Sequence, residues 1–160
     1  MTGSIIQVSI SPGGVPNHAI AEGTLTKNGI LGDAWRYPFH GGPQRAILLI
    51  TGEGVDELAA QGFPVYYGAL GENLTTRGLD RRSLRIGQQF RTGQAIIELT
   101  QVRLPCDTLS VYGTGIQAAM FNAAAQAGDA ASLVWGLSGF YASVVEPGIL
   151  RTGDLIALLG

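Results

Sequence analysis

Glycine recurs 24 times in the 160 residues and is dispersed rather than pooled into a linker. Set between short apolar runs, such glycines end elements and supply tight turns, so the chain is forced into many short pieces. Ser4 to Ile10 alternates and predicts a strand, stopped by Ser11-Pro12-Gly13-Gly14. Ala46 to Thr51 is a continuous apolar run, which predicts a strand buried on both faces. Thr51 then suits a helix N-cap, with Glu53 in the first turn, Val55, Leu58 and Ala59 on one face, and Gly62 as the stop. Leu84 to Arg91 and Gln94 to Gln101 predict two strands joined at Thr92-Gly93. Ile116, Met120, Ala123 and Ala127 fall at helical spacing and predict one amphipathic helix up to Gly128, with a second short one from Asp129. Phe140 to Glu146 and Asp154 to Leu159 predict the last strands, parted by Pro147-Gly148. Helices do not alternate regularly with strands, which disfavours a doubly wound parallel sheet. The expected class is mostly β (α+β): a β-barrel of short, mainly antiparallel strands decorated with a few helices, in one domain over 1–160.

Charge and cysteine usage narrow the function classes. Net charge is −2 with no run of like charges, so a nucleic-acid partner, which calls for a basic stripe, is not expected. The longest aliphatic stretches, such as Ala46 to Ile50, are too short to span a bilayer, and no membrane partner is expected. The first ten residues lack the basic and long apolar regions of a secretory signal. With a single cysteine, no intrachain disulfide can form; both features fit a reducing, cytoplasmic setting. Lys27 is the sole lysine, so a Schiff base with pyridoxal phosphate is improbable within this chain. Every other cation is arginine, whose rigid fork suits oxyanions, although a GC-rich genome would give the same bias.

That single cysteine, Cys106, closes the segment Arg103-Leu104-Pro105-Cys106 just after a predicted strand. A neighbouring arginine favours the thiolate, the form that attacks electrophiles and binds soft metals. Most unpaired cysteines are nonetheless small buried hydrophobes. Three other polar segments interrupt the apolar pattern. Gly32-Asp33 leads to His40-Gly41-Gly42-Pro43 and Arg45, where two glycines let successive N–H groups curl toward an anion or merely form a turn. Gly71-Glu72-Asn73-Leu74 stands at a strand entry, where Glu72 and Asn73 can orient a polar ligand edge or pair within the loop. Asp80-Arg81-Arg82 with Arg85 reads most simply as a solvated basic turn. Two histidines and one cysteine without paired spacing cannot make a structural zinc site. Nucleophile-elbow and phosphate-loop patterns are absent.

In their order these segments resemble the MOSC domain, the C-terminal domain of molybdenum cofactor sulfurases, which also occurs as a stand-alone bacterial protein. The matching stretches are Ser11 to Pro16, Gly32-Asp33, His40-Gly41-Gly42 with Arg45, and Gly71-Glu72-Asn73-Leu74. Ile86-Gly87, Glu98-Leu99-Thr100, Arg103-Leu104-Pro105-Cys106 and Gly153-Asp154 complete them. Asn17 stands where lysine is expected and Gln88 where aspartate is usual. The resemblance implies a MOSC-like β-barrel and a cleft that binds a molybdopterin-type molybdenum cofactor. It implies Cys106 as the catalytic sulfur, either a sulfur carrier or the residue contacting molybdenum, in a molybdenum-dependent reductase or sulfurtransferase component. His40, Gly41, Gly42 and Arg45 would hold an anionic pterin or its phosphate, Arg103 would keep the thiolate charged in the cofactor site, and Glu72 and Asn73 would position the substrate or cofactor edge. The implied partners are the cofactor or its sulfur donor and a redox protein; an oligomer stays open. Two further readings remain: a cysteine hydrolase or transferase with His40 as base, and a non-catalytic binding module.

Overall fold

A computed structural model of the chain describes residues 1–37 and 40–160. The strands run in the order β1 (Thr2–Ile10), β2 (His18–Ile20), β3 (Glu22–Thr26), β4 (Gly29–Ile30), β5 (Ile47–Thr51), β6 (Leu74–Arg77) and β7 (Gln89–Thr92). β8 (Ala95–Val102), β9 (Phe140–Glu146), β10 (Gly148–Arg151) and β11 (Leu155–Leu158) complete them. The helices are α1 (Gly52–Ala60), α2 (Ile116–Met120) and α3 (Ala123–Gln126). The large sheet is ordered β11-β7-β8-β9-β5-β6-β1-β2, and an added pairing of β11 with β1 closes all but β2 into a seven-stranded barrel. Closure leaves no long open edge, which is how an antiparallel design escapes edge-to-edge aggregation. β10, β3 and β4 form a small second sheet. The expected mostly β barrel is therefore present.

One seam departs from antiparallel pairing. β5 and β6 run parallel, with α1 and its following loop as the crossover between them. β5 explains why its sequence is apolar throughout: Ile47 and Leu49 pack into the barrel interior, while Leu48 and Ile50 pack outward. The outward pair meets Val55 and Leu58 of α1, then Leu109, Ile116 and Met120. Burial on both faces is what the unbroken run predicts. The Thr51 hydroxyl accepts the Gly54 N–H at 3.1 Å and caps α1, also as expected.

Elsewhere local side-chain bonds override the periodicity. The helix expected over 116–128 is two short helices, because Asn122 is extended and its side chain accepts the Ala125 N–H at 2.9 Å. That bond starts a new helix instead of continuing the old one. Asp129 does the same in miniature: its carboxylate accepts the Ala131 N–H, giving turns where a helix was expected. The strand expected over 84–91 begins only at Gln89, after a turn at Gly87 (φ 91°). Among the described residues no helix is long and apolar enough to cross a membrane.

Gly139 ties this packing to the end of β8. Its carbonyl accepts the Arg103 N–H at 2.9 Å, and its φ is 93°. A Cβ there would stand 2.6 Å from Cγ1 of Ile50 and 2.9 Å from the Leu49 carbonyl oxygen. Gly139→Ala should cost about 1–3 kcal/mol of stability through strain and clash. Urea unfolding checks this; an unchanged midpoint contradicts the packing described.

Candidate functional site

A cleft of about 400 Å3 lies among the turn after β1, the loop from Asp33 to Arg36, the turn before β5, the entry to β6 and the stretch after β8. His40, Arg45, Asn73, Arg103 and Cys106 all line it. These five come from three of the four polar segments singled out in the sequence. Gly41, Gly42 and Glu72 are not in its lining.

The sulfur is set by the chain that follows β8. Pro105 and Cys106 lead into a 3-10 helix, Asp107–Tyr112, and the Pro105 carbonyl accepts the Gln117 Nε2–H of α2 at 3.2 Å. Cys106 is half-buried. Its Sγ lies 2.7 Å from Thr108 Oγ1, within hydrogen-bond distance. Both the sulfur and His40 line the cleft, and the sulfur's hydrogen-bond neighbour is the Thr108 hydroxyl.

The arginines are fixed by neutral groups. Arg103 is only 6% exposed. Its Nη2 donates to the Leu70 carbonyl at 2.8 Å, and the Ser138 hydroxyl donates to its own carbonyl at 2.6 Å. Among the described residues no carboxylate lies within ion-pair distance of it. Carbonyl partners orient a guanidinium without cancelling its charge. Arg45 closes the 3-10 turn Pro43–Arg45; its Nε donates to Gln101 Oε1 at 3.3 Å. Its guanidinium stacks over the Tyr141 ring at 5.3 Å. Gln101 and Tyr141 are cross-strand partners on β8 and β9, so the barrel register itself builds this seat. His40 donates its backbone N–H to the Tyr37 carbonyl, and the two rings meet edge to face at 5.1 Å. Burial first, then the charges of Arg103 and Arg45, hold its imidazole below the ordinary pKa.

The glycines and the Glu-Asn pair have structural duties. A Cβ on Gly41 would fall 2.5 Å from the Trp35 indole, so glycine there permits close ring packing. Gly42 supplies the φ of 104° that starts the Pro43–Arg45 turn. Asn73 Oδ1 accepts the Leu48 N–H at 2.9 Å, while its Nδ2 donates to the Ser9 carbonyl at 3.1 Å and to Asp33 Oδ2 at 2.9 Å. Asn17, in place of an expected lysine, is buried and donates to the carbonyls of Gly71 and Glu72. Asp33, Trp35, Arg36, Thr108 and Tyr141 also line the cleft, and the sequence assigned none of them a role. Gly32-Asp33 was visible as a motif, and Thr108 stands two residues past the cysteine. Tyr141 carries no local signal; only strand pairing brings it in. Among the described residues no group of three or more His, Cys, Asp and Glu side chains gathers to hold a bare metal ion.

Comparison with known proteins agrees with this fold. The model of the MOSC domain family matches residues 36–157. The uncharacterized protein YflK of Bacillus subtilis (strain 168) is 30% identical over 123 residues, covering 75% of this chain and 50% of YflK. Protein YiiM of Escherichia coli (strain K12) is 36% identical over 93 residues, covering 55% of this chain and 42% of YiiM. The chain thus spans about half the length of these curated relatives. The crystal structure of YiiM from Escherichia coli superposes with a TM-score of 0.73 and 26% identity, covering 100% of this chain and 70% of that one.

Glu72 sits behind the cleft, fully buried. Its Oε1 accepts the Leu70 N–H at 3.2 Å and its Oε2 the Thr75 hydroxyl at 3.4 Å. Burial pushes its pKa from the ordinary 4.5 up to about 7, against the opposing pull of backbone N–H groups and the Arg103 charge. The folded form therefore holds this proton more tightly than the unfolded chain. The stability it contributes is full below pH 4.5 and is lost as pH rises through about 7. Glu72→Gln should flatten that loss, by about 3 kcal/mol across the window. Urea midpoints of both proteins at stepped pH check this; parallel profiles contradict it.

Proposed function

The chain belongs to the MOSC-domain family, associated with molybdenum-cofactor proteins, and from that premise we propose that its cleft binds a molybdopterin-type molybdenum cofactor with Cys106 facing the metal. The observation that carries this is the position of the chain's one sulfur nucleophile. It opens into the same cleft as Arg45 and Arg103. A thiolate is a soft donor suited to molybdenum or to a transferable sulfur, and guanidinium groups suit the anionic parts of the same ligand. A cleft of about 400 Å3 also falls in the range of small-molecule sites.

When bound, the cofactor would supply the molybdenum redox chemistry that the side chains lining the cleft do not offer. The chain's own contribution is binding and orientation. Arg45, seated on Gln101 and Tyr141, and Arg103, held by Leu70 and Ser138, present fixed positive charge without needing to reorganise. His40, with its pKa lowered, is neutral near pH 7 and is available to exchange a proton in the cleft. Thr108 fixes the direction of the sulfur. Cys106 takes the role of metal contact or sulfur carrier. The sulfur, if carried, comes from outside residues 1–160: Lys27, their only lysine, lies outside the cleft lining and donates to the Val145 carbonyl. A separate redox protein is the corresponding partner for a reductase.

Protein purified from a host that makes the cofactor should contain molybdenum and pterin in near-equal amounts, measured by metal analysis and by fluorescence of the oxidised pterin. Cys106→Ser should lower the molybdenum content at least about tenfold while the fold persists. Wild-type protein with neither molybdenum nor pterin, and no uptake on reconstitution, contradicts the proposal.

A further inference from the structure

Reading the polar edge of a ligand falls by sequence to Glu72 and Asn73, and neither side chain is free for it. Glu72 is sealed outside the cleft lining. Asn73 uses both amide N–H groups on Ser9 and Asp33, and its oxygen on the Leu48 N–H. Asp33 is the one carboxylate in the cleft lining among the described residues, and it sits among Arg36, His40, Arg45 and Arg103. Among the described residues it forms no ion pair with Arg36 or Arg103. Its Oδ1 accepts the Ser11 N–H at 2.9 Å, and its Oδ2 accepts Asn73 Nδ2 at 2.9 Å. A carboxylate offers about four lone-pair sites, so these bonds fix its plane and leave acceptor capacity for a ligand. Trp35, two residues on, lines the same cleft with a partly exposed indole.

We infer that Asp33 determines the specificity of the cleft by accepting the N–H donors of an amino-substituted nitrogen heterocycle, whose anionic portion is held by the arginines. This deepens the cofactor reading and rests on it. An aminopyrimidine edge presents an amino N–H and a ring N–H side by side, matching the two oxygens of one carboxylate as an arginine fork does. Replacing the amino group by a carbonyl sets a lone pair against the carboxylate and leaves a buried charge poorly paired. The positioning by Ser11 and Asn73 makes the discrimination available without rearrangement.

Two soluble probes separate the outcomes: pterin-6-carboxylate and lumazine-6-carboxylate, which differ only in bearing an amino or an oxo group on the same ring carbon. Fluorescence titration of the wild-type protein should show pterin-6-carboxylate bound at least about tenfold more tightly. Asp33→Asn should bring the two affinities together chiefly by weakening the pterin. Equal affinity of wild-type protein for both probes overturns the role of Asp33 while leaving the cofactor reading standing. Binding of neither probe overturns both. The wild-type ratio decides the matter even if the variant does not fold.

Discussion

The barrel and its cleft both depend on one amide. Before β6 begins, Asn73 pairs with β5 through its backbone N–H to the Leu48 carbonyl and through its Oδ1 from the Leu48 N–H. On its other side the Ser9 N–H donates to the Asn73 carbonyl, and Asn73 Nδ2 donates back to the Ser9 carbonyl. One side chain thereby stands in for a peptide group on both flanks, extending the ladder where the parallel seam starts. Buried backbone groups left without such partners cost about 1–3 kcal/mol each, so few residues can replace it here. The second N–H of the same amide reaches Asp33 and pins the Gly32–Arg36 loop to the cleft wall. A closed barrel and a preorganised carboxylate are two results of the same constraint.

Much of the architecture was legible because burial leaves a period in the sequence. The unbroken apolar run of β5 is explained by two cores, one inside the barrel and one under the helices. The cap at Thr51 and the hairpin turning at Gly93 follow local chemistry and were equally readable. What periodicity missed was decided by single polar side chains. Asn122 and Asp129 bond to backbone nearby and break the expected helix. The strands β2, β3, β4 and β10 are too short to show a period, and β10 is defined only by its pairing with β3 across more than a hundred residues.

The site divides along the same line. Residues flagged by motif, such as His40, Arg45, Arg103 and Cys106, do converge on one cleft. The division of labour among them was not legible. Asn73 looks like a ligand contact in sequence and is a brace in space, while the bare Gly32-Asp33 dipeptide supplies a half-buried acceptor in the cleft lining. Arg103 stands three residues before Cys106, yet its guanidinium turns to the carbonyls of Leu70 and Ser138, and the sulfur's bonded neighbour is Thr108. Sequence adjacency does not report side-chain direction at the end of a strand, where successive residues point to opposite faces.

The proposed function rests on a soft sulfur and two oriented guanidinium groups presented together at a rigid barrel rim. Neutral carbonyls, an aromatic face and a glutamine amide orient the cations, so their guanidinium groups stand in the cleft without rearrangement. Anomalous diffraction at the molybdenum edge from cofactor-loaded crystals tests this most directly. The account predicts a single strong peak in the cleft within bonding distance of Cys106 Sγ; a peak elsewhere, with that sulfur unattached, contradicts it.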